Sequence, residues 1–184
     1  GVQTCALPIF HGVLAIMRDH GKVQVKQDGF SFHLCQLRPE SRGRVTIASN
    51  DPLADPLIFA NYLSQPEDVR VMRECVKIGR EVAAQAALDP YRDAELAPGA
   101  EVRSDAEIDA WVRRTAETIY HPVGTCKMGA DGDRMAVVDA QLKVRGLERL
   151  RVVDASVMPT LVGSNTNAPT IMIAEKAADM IRAA

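Results

Sequence analysis

His121 and Asn167 stand out by their settings more than by their types. His121 lies in Tyr120-His121-Pro122-Val123-Gly124-Thr125-Cys126-Lys127-Met128-Gly129, where Pro122, Gly124 and Gly129 hold the chain off regular structure. Functional side chains concentrate in such loops. Imidazole also takes up a proton near neutral pH, which makes His121 a candidate general base. Asn167 lies in Ser164-Asn165-Thr166-Asn167-Ala168-Pro169-Thr170, just ahead of a run with helical spacing. Asn167 or Thr166 is placed to cap that helix, and the Asn167 amide can still donate to a bound oxygen. A helix mouth carries about half a positive charge, which would stabilise negative charge gained by a group held against it. A lone histidine or a lone cap is ordinarily structural. The two settings together point to chemistry.

Other candidates are weaker. His33, between Phe32 and Leu34, could line a pocket, but a half-buried strand histidine is the simpler account. Asp131-Gly132-Asp133 resembles the start of a calcium loop without its later ligands, so a turn is expected. His121 and Cys126 offer no further metal partners, and no metal is expected. Ser156 and Ser164 lack the G-x-S-x-G elbow of a hydrolase. Trp111 reads as core.

The elements that must position these residues are legible in outline. Phe30, Phe32 and Leu34 alternate with Ser31, His33 and Cys35 as a strand, and Arg44-Val45-Thr46-Ile47-Ala48 follows the Glu40-Ser41-Arg42-Gly43 turn as a second. Ser64 with Glu67 reads as a capping box opening a helix along Val69, Met72, Val76, Val82 and Ala86. Ser104 with Glu107 opens another along Ile108, Trp111, Thr115 and Ile119, which runs to His121 and stops at Pro122. Short strands are expected at Ala136-Val137-Val138, Leu142-Lys143-Val144 and Leu150-Arg151-Val152-Val153. A last helix runs from about Pro169 to Ile181 with Ile171, Ala174, Ala178 and Ile181 as its buried stripe. The fold class is α+β, with helices packed on a mostly antiparallel sheet.

Composition narrows the function classes. The 184 residues carry 47% hydrophobic and 25% charged residues, ordinary for a globular chain. A net charge of −2 argues against a nucleic-acid partner. Cys5, Cys35, Cys75 and Cys126 form no CxxC pair, so reduced thiols in a cytoplasm-like compartment are expected. No apolar run approaches the ~20 residues of a membrane span; peripheral contact with the inner membrane is left open. The chain starts at Gly1 without a charged leader, and residues 1–9 read as non-native sequence ahead of a native start near Phe10.

Taken together, the Ser41-Arg42-Gly43-Arg44-Val45 turn, the His121-Pro122-Val123-Gly124-Thr125-Cys126-Lys127-Met128-Gly129 stretch, Val152-Val153-Asp154-Ala155-Ser156-Val157-Met158-Pro159 and Asn165-Thr166-Asn167-Ala168-Pro169-Thr170 resemble the C-terminal part of the glucose–methanol–choline (GMC) oxidoreductases. They occur in family order, from about Phe30 onward. The resemblance implies an FAD-dependent enzyme of the choline or aliphatic alcohol dehydrogenase type that oxidises an alcohol to an aldehyde. It makes His121 the active-site base and Asn167 the second active-site residue. It brings Asp154 and Ala155 near FAD, and Asn167, Ala168, Pro169 and Thr170 to the isoalloxazine ring. Residues 10–150 would form the substrate-binding domain, and 151–184 a flavin-contacting segment and terminal helix. No G-x-G-x-x-G occurs, so an FAD-binding domain N-terminal to these residues is implied as partner. Apolar surface is accordingly expected bare along Val152 to Met158 and Thr160 to Thr170. The competing expectation is a non-catalytic cap or interaction module that retains the fold.

Overall fold

The computed structural model describes residues 9–23 and 25–183, the His20 side chain excepted. Of the leader expected at residues 1–9, only Ile9 falls within them, as the first residue of β1. The chain divides into two compact units. One takes the chain up to Arg42 together with Asn61–Ile119, and the other takes Gly43–Ala60 with Tyr120–Ala184.

In the first unit, β1 (Ile9–Val13) pairs antiparallel with β2 (Ser31–Cys35), with Phe10 opposite Leu34 and Gly12 opposite Phe32. Helix α1 (Pro66–Ala83) packs on β2. A Cβ at Gly79 would stand only 3.0 Å from Leu34 Cδ1, so glycine permits that approach. Helix α2 (Asp105–Thr115) packs against α1 around Val76, Ile108 and Val112, with Met72 and Trp111 beside them. Val112 was missing from the expected face. Val82 is 38% exposed, and Ala86 falls beyond the helix.

The start of α1 differs from its expected form. Gln65 stands at the N-cap without a side-chain bond. Ser64 Oγ instead accepts from Asn61, and Glu67 is drawn into a bidentate pair with Arg70. The anchor is Asp68, 1% exposed, whose carboxylate accepts from Gln36 Nε2, Glu40 N and Ser41 N, each at 2.8 Å, and from the Ser41 hydroxyl. Ser41 Oγ in turn accepts from the Ser64 and Gln65 amides. Burial pushes the Asp68 carboxyl up, but these hydrogen bonds outweigh it and hold the group below the usual carboxylate range. The Ser104–Glu107 capping box of α2 forms as expected. That helix nevertheless stops at Thr115, well before His121; Ala116 is already extended.

In the second unit, β3 (Arg44–Thr46) pairs antiparallel with β4 (Leu57–Phe59). A Cβ at Gly43 would lie 2.3 Å from the Phe59 carbonyl oxygen, so only glycine closes this hairpin. The three strands expected after His121 shrink to isolated bridges: Met128 with Val138 (parallel), Val138 with Val144 and Lys143 with Arg151 (both antiparallel). Turns interrupt them too often for a ladder to grow. Leu142 and Arg149 are left-handed at φ 63° and 59°, Gly146 at 76°. Asp139 Oδ1 accepts from the Gln141 and Lys143 amides, making a turn where a longer strand would have to run. The core here is Val138, Leu142, Val157, Met158, Ile173 and Ala177.

Helix α3 (Asn167–Arg182) buries Ile173 and Ala177. The expected stripe was misphased: Ile171 and Ile181 are more than half exposed. The expected bare segment from Val152 to Met158 is also corrected. Val157 and Met158 lie in the core, with Val152, Val153 and Ala155 packed against it. Exposed apolar side chains in this unit include Ile171 and Met172 near the start of α3, Ile47, Leu53 and Ile58 in the hairpin, and Met135 and Leu147 between them.

Candidate active site

The loop that carries His121 is stitched to the segment before α3. Cys126 N donates to Ser156 O at 3.0 Å and Met128 N to Val157 O at 2.8 Å, while Val137 N donates back to Lys127 O. Two glycine-punctuated segments far apart in sequence thereby run side by side above the Val157–Met158 core. Tyr120 enters the loop left-handed at φ 63°, and Gly124 turns it at φ 86°. His121 is half-buried between these two turns.

Its ring is held by a residue that the sequence offered only as a helix cap. His121 Nδ1 lies 3.1 Å from Thr166 Oγ1, and Thr166 is 8% exposed. Thr166 occupies the N-cap position of α3, but its side chain makes no cap bond there. Its carbonyl accepts from Thr170 twice, from the amide at 3.0 Å and from Oγ1 at 2.6 Å. The cap signal named Thr166; its turn inward toward a histidine had no sequence signature.

Asn167 is the first residue of α3, exposed, and is not the cap. Ala168 is exposed beside it, and Pro169 fills the third position, where its missing N–H costs the helix nothing. Among the described residues, no hydrogen bond engages the Asn167 or Ala168 amide. The mouth of α3 therefore presents two N–H donors and the positive end of a helix dipole. Asp154 is exposed and caps a single 3₁₀ turn, its Oδ1 accepting from the Ser156 amide and hydroxyl. Ala155 packs on the core. The Asp131–Asp133 segment is a turn, with Asp133 accepting from Lys127 Nζ and the Met135 amide.

Residues 39–174 match the C-terminal family profile of the GMC oxidoreductases. The chain belongs to that family. It is 51% identical over 173 residues to mitochondrial choline dehydrogenase of Mus musculus, covering 94% of this chain and 29% of the relative. It is 50% identical to the oxygen-dependent choline dehydrogenase of Vibrio vulnificus and 51% identical to an alcohol dehydrogenase [acceptor] of Pseudomonas putida, with 94% of this chain and 31% of each relative covered. This GMC chain thus spans under a third of the length of such relatives. Among solved structures it resembles pyridoxine 4-oxidase from Mesorbium loti (TM-score 0.76, 35% identity, 83% of this chain and 29% of that one). It also resembles a formate oxidase (TM-score 0.81, 30% identity, 88% and 28%). The α+β class with antiparallel sheets agrees with these likenesses.

Proposed function

We propose that this GMC chain is the C-terminal, substrate-binding part of an FAD-dependent enzyme that oxidises an alcohol, choline or an aliphatic alcohol, to the aldehyde. The observation that carries the reading is His121, held through Nδ1 by Thr166 at the mouth of α3, which leaves its other nitrogen to exchange a proton. In this reading residues 10–150 shape the substrate side and 151–184 meet the flavin, whose main binding domain lies in sequence outside these 184 residues. The enzyme is cytoplasmic, with the inner membrane as a peripheral surface, which cell fractionation checks. Among the described residues no helix is long and apolar enough to cross a membrane.

The first turn of α3 fits a flavin. It has no side-chain cap, its Asn167 and Ala168 amides meet no acceptor among the described residues, and a ring that gains negative charge would meet a positive dipole end. Pro169 and Thr170 complete that turn, and Asp154 and Ala155 sit on the segment leading to it. When bound, FAD supplies the hydride acceptor. The chain's own residues do the rest. His121 takes the hydroxyl proton as the carbonyl forms, and the Asn167 amide donates to the substrate oxygen.

The test is anaerobic stopped-flow on the full-length flavoenzyme that carries this chain. His121→Ala should slow flavin reduction about 10²–10⁴-fold while FAD stays bound. Asn165→Ala and Asn167→Ala belong in the same series, because both exposed amides flank Thr166; a larger loss at Asn165 would move the donor role there. Undiminished reduction in His121→Ala would mean that another base serves, with His33 next to test. The 184-residue chain alone should not turn over alcohol. One observation favours a second reading, a non-catalytic module that retains the GMC C-terminal fold: Val157 and Met158 are covered by the chain's own core. A full-length protein that binds no FAD would establish that reading.

A further inference from the structure

The side chain at the start of α3 is used unlike its counterpart at the start of α2. There Ser104 Oγ accepts from the Glu107 amide and closes the first turn. Thr166 occupies the equivalent position, yet its hydroxyl is turned to His121 Nδ1 at 3.1 Å and makes no cap bond. It is 8% exposed. It is also aimed: the two bonds that Thr170 makes to the Thr166 carbonyl tie its backbone to the first turn of the helix. A neutral imidazole carries one N–H and one lone pair, and its partner decides which nitrogen has which.

We propose that Thr166 is a positioning residue for the base: its Oγ1 accepts a hydrogen bond from His121 Nδ1–H, fixing both the ring and the tautomer in which Nε2 holds the lone pair. The proposal rests on the reading of His121 as base. In the proton step, the Nε2 lone pair takes the hydroxyl proton and the ring becomes imidazolium. Nδ1–H stays bonded to Thr166 throughout, so no second proton has to move.

Three variants of the full-length flavoenzyme test this, with flavin content and melting temperature followed alongside. Thr166→Val keeps the volume and loses the acceptor; it should slow flavin reduction about 10–10²-fold without changing the alcohol concentration that half-saturates it. Thr166→Ser keeps the hydroxyl and should stay within about 3-fold of the parent, as a conservative rescue. A threonine that only packs gives the reverse order, Val benign and Ser worse through the cavity it leaves, and that order overturns the proposal. In a His121→Ala background Thr166→Val should add no further loss; an added loss overturns the proposal. The failures are separable: fast His121→Ala sinks the base reading itself, whereas slow His121→Ala with parent-like Thr166→Val sinks only the role of Thr166. Nitrogen NMR of ¹⁵N-histidine-labelled parent enzyme needs no Thr166 variant to fold. With the His121 signals identified by their loss in His121→Ala, the neutral ring should show Nδ1–H and a bare Nε2. The opposite tautomer overturns the proposal.

Discussion

Helices α1 and α2 have their N-termini tied down, whereas α3 begins open. At α2 the work is local, with Ser104 and Glu107 bonding each other's backbone amides. At α1 it comes from a distance: Ser41 accepts from the amides just before the helix, and Asp68 gathers the 36–41 segment onto the first turn. At α3 the residue in the capping position turns to His121 and leaves two amides exposed. A helix start left open costs about 1 kcal/mol of capping. Here that cost falls where the family resemblance puts a cofactor: α2 keeps the local capping rule, α1 replaces it with tertiary hydrogen bonds, and α3 leaves it unmet at the site.

The largest effect should be chemical: His121→Ala slows flavin reduction about 10²–10⁴-fold, while the stability lost with the Thr166 hydroxyl's partner stays at about 1 kcal/mol. Asp68→Asn should cost about 2–3 kcal/mol near neutral pH by denaturant unfolding, because its NH₂ must replace one carboxylate oxygen and so face either Gln36 Nε2 and Glu40 N or the Ser41 amide, donors that need an acceptor there. The sign of its pH dependence follows from the lowered folded-state value. The carboxylate's contribution is complete well above the unfolded value near 3.8 and is lost as pH falls through the lower folded value. The parent should therefore lose stability on acidification below about pH 4, and Asp68→Asn should be flatter across that window.

Ser104→Ala should cost about 1 kcal/mol, read as a shift of the unfolding midpoint. The smallest effect should be Asn167→Ala, within about 0.5 kcal/mol on stability; a loss equal to that of Ser104→Ala would mean that α3 is capped after all. Its kinetic effect should be smaller than that of His121→Ala, because proton transfer stays intact.

The legible parts of this molecule are those set by near neighbours in sequence. The Ser104–Glu107 box and the β2 strand depend on contacts a few residues apart, and both form; within β2, though, only His33 is exposed, while Ser31 and Cys35 are partly covered like Phe32 and Leu34. The Ser64–Glu67 box follows the same pattern and fails, because Arg70 competes for Glu67 and a residue from another segment, Ser41, takes over the amides. The α3 stripe failed for a related reason. Periodicity gives the angular width of an apolar face but not which part of it the rest of the chain covers, and Ile173 and Ala177 are buried where Ile171 and Ile181 are not. The runs after His121 have the apolar pattern of strands, but the left-handed turns at Leu142, Gly146 and Arg149 reduce them to single bridges. His121 was found from its loop. Its partner Thr166 depends on how two segments some forty-five residues apart lie side by side, and no local pattern encodes that.

The hairpin Gly43–Ala60 shares its unit with Tyr120–Ala184, yet the residues between them belong to the other unit. During synthesis, at ~5–20 residues per second, the hairpin leaves the ribosome ~3–12 s before the first of its unit-mates. Ile47, Leu53 and Ile58, bare in the finished chain, are bare throughout that interval too, beside strand edges that no other part of the unit has yet reached, a combination prone to sticking to other nascent chains. Arg44, its guanidinium 5.1 Å above the Phe59 ring, and the Pro52 and Pro56 of its loop stand there as gatekeepers. Arg44→Ala should therefore show its damage in the yield of protein recovered at high expression rate, before it shows in any property of the finished molecule.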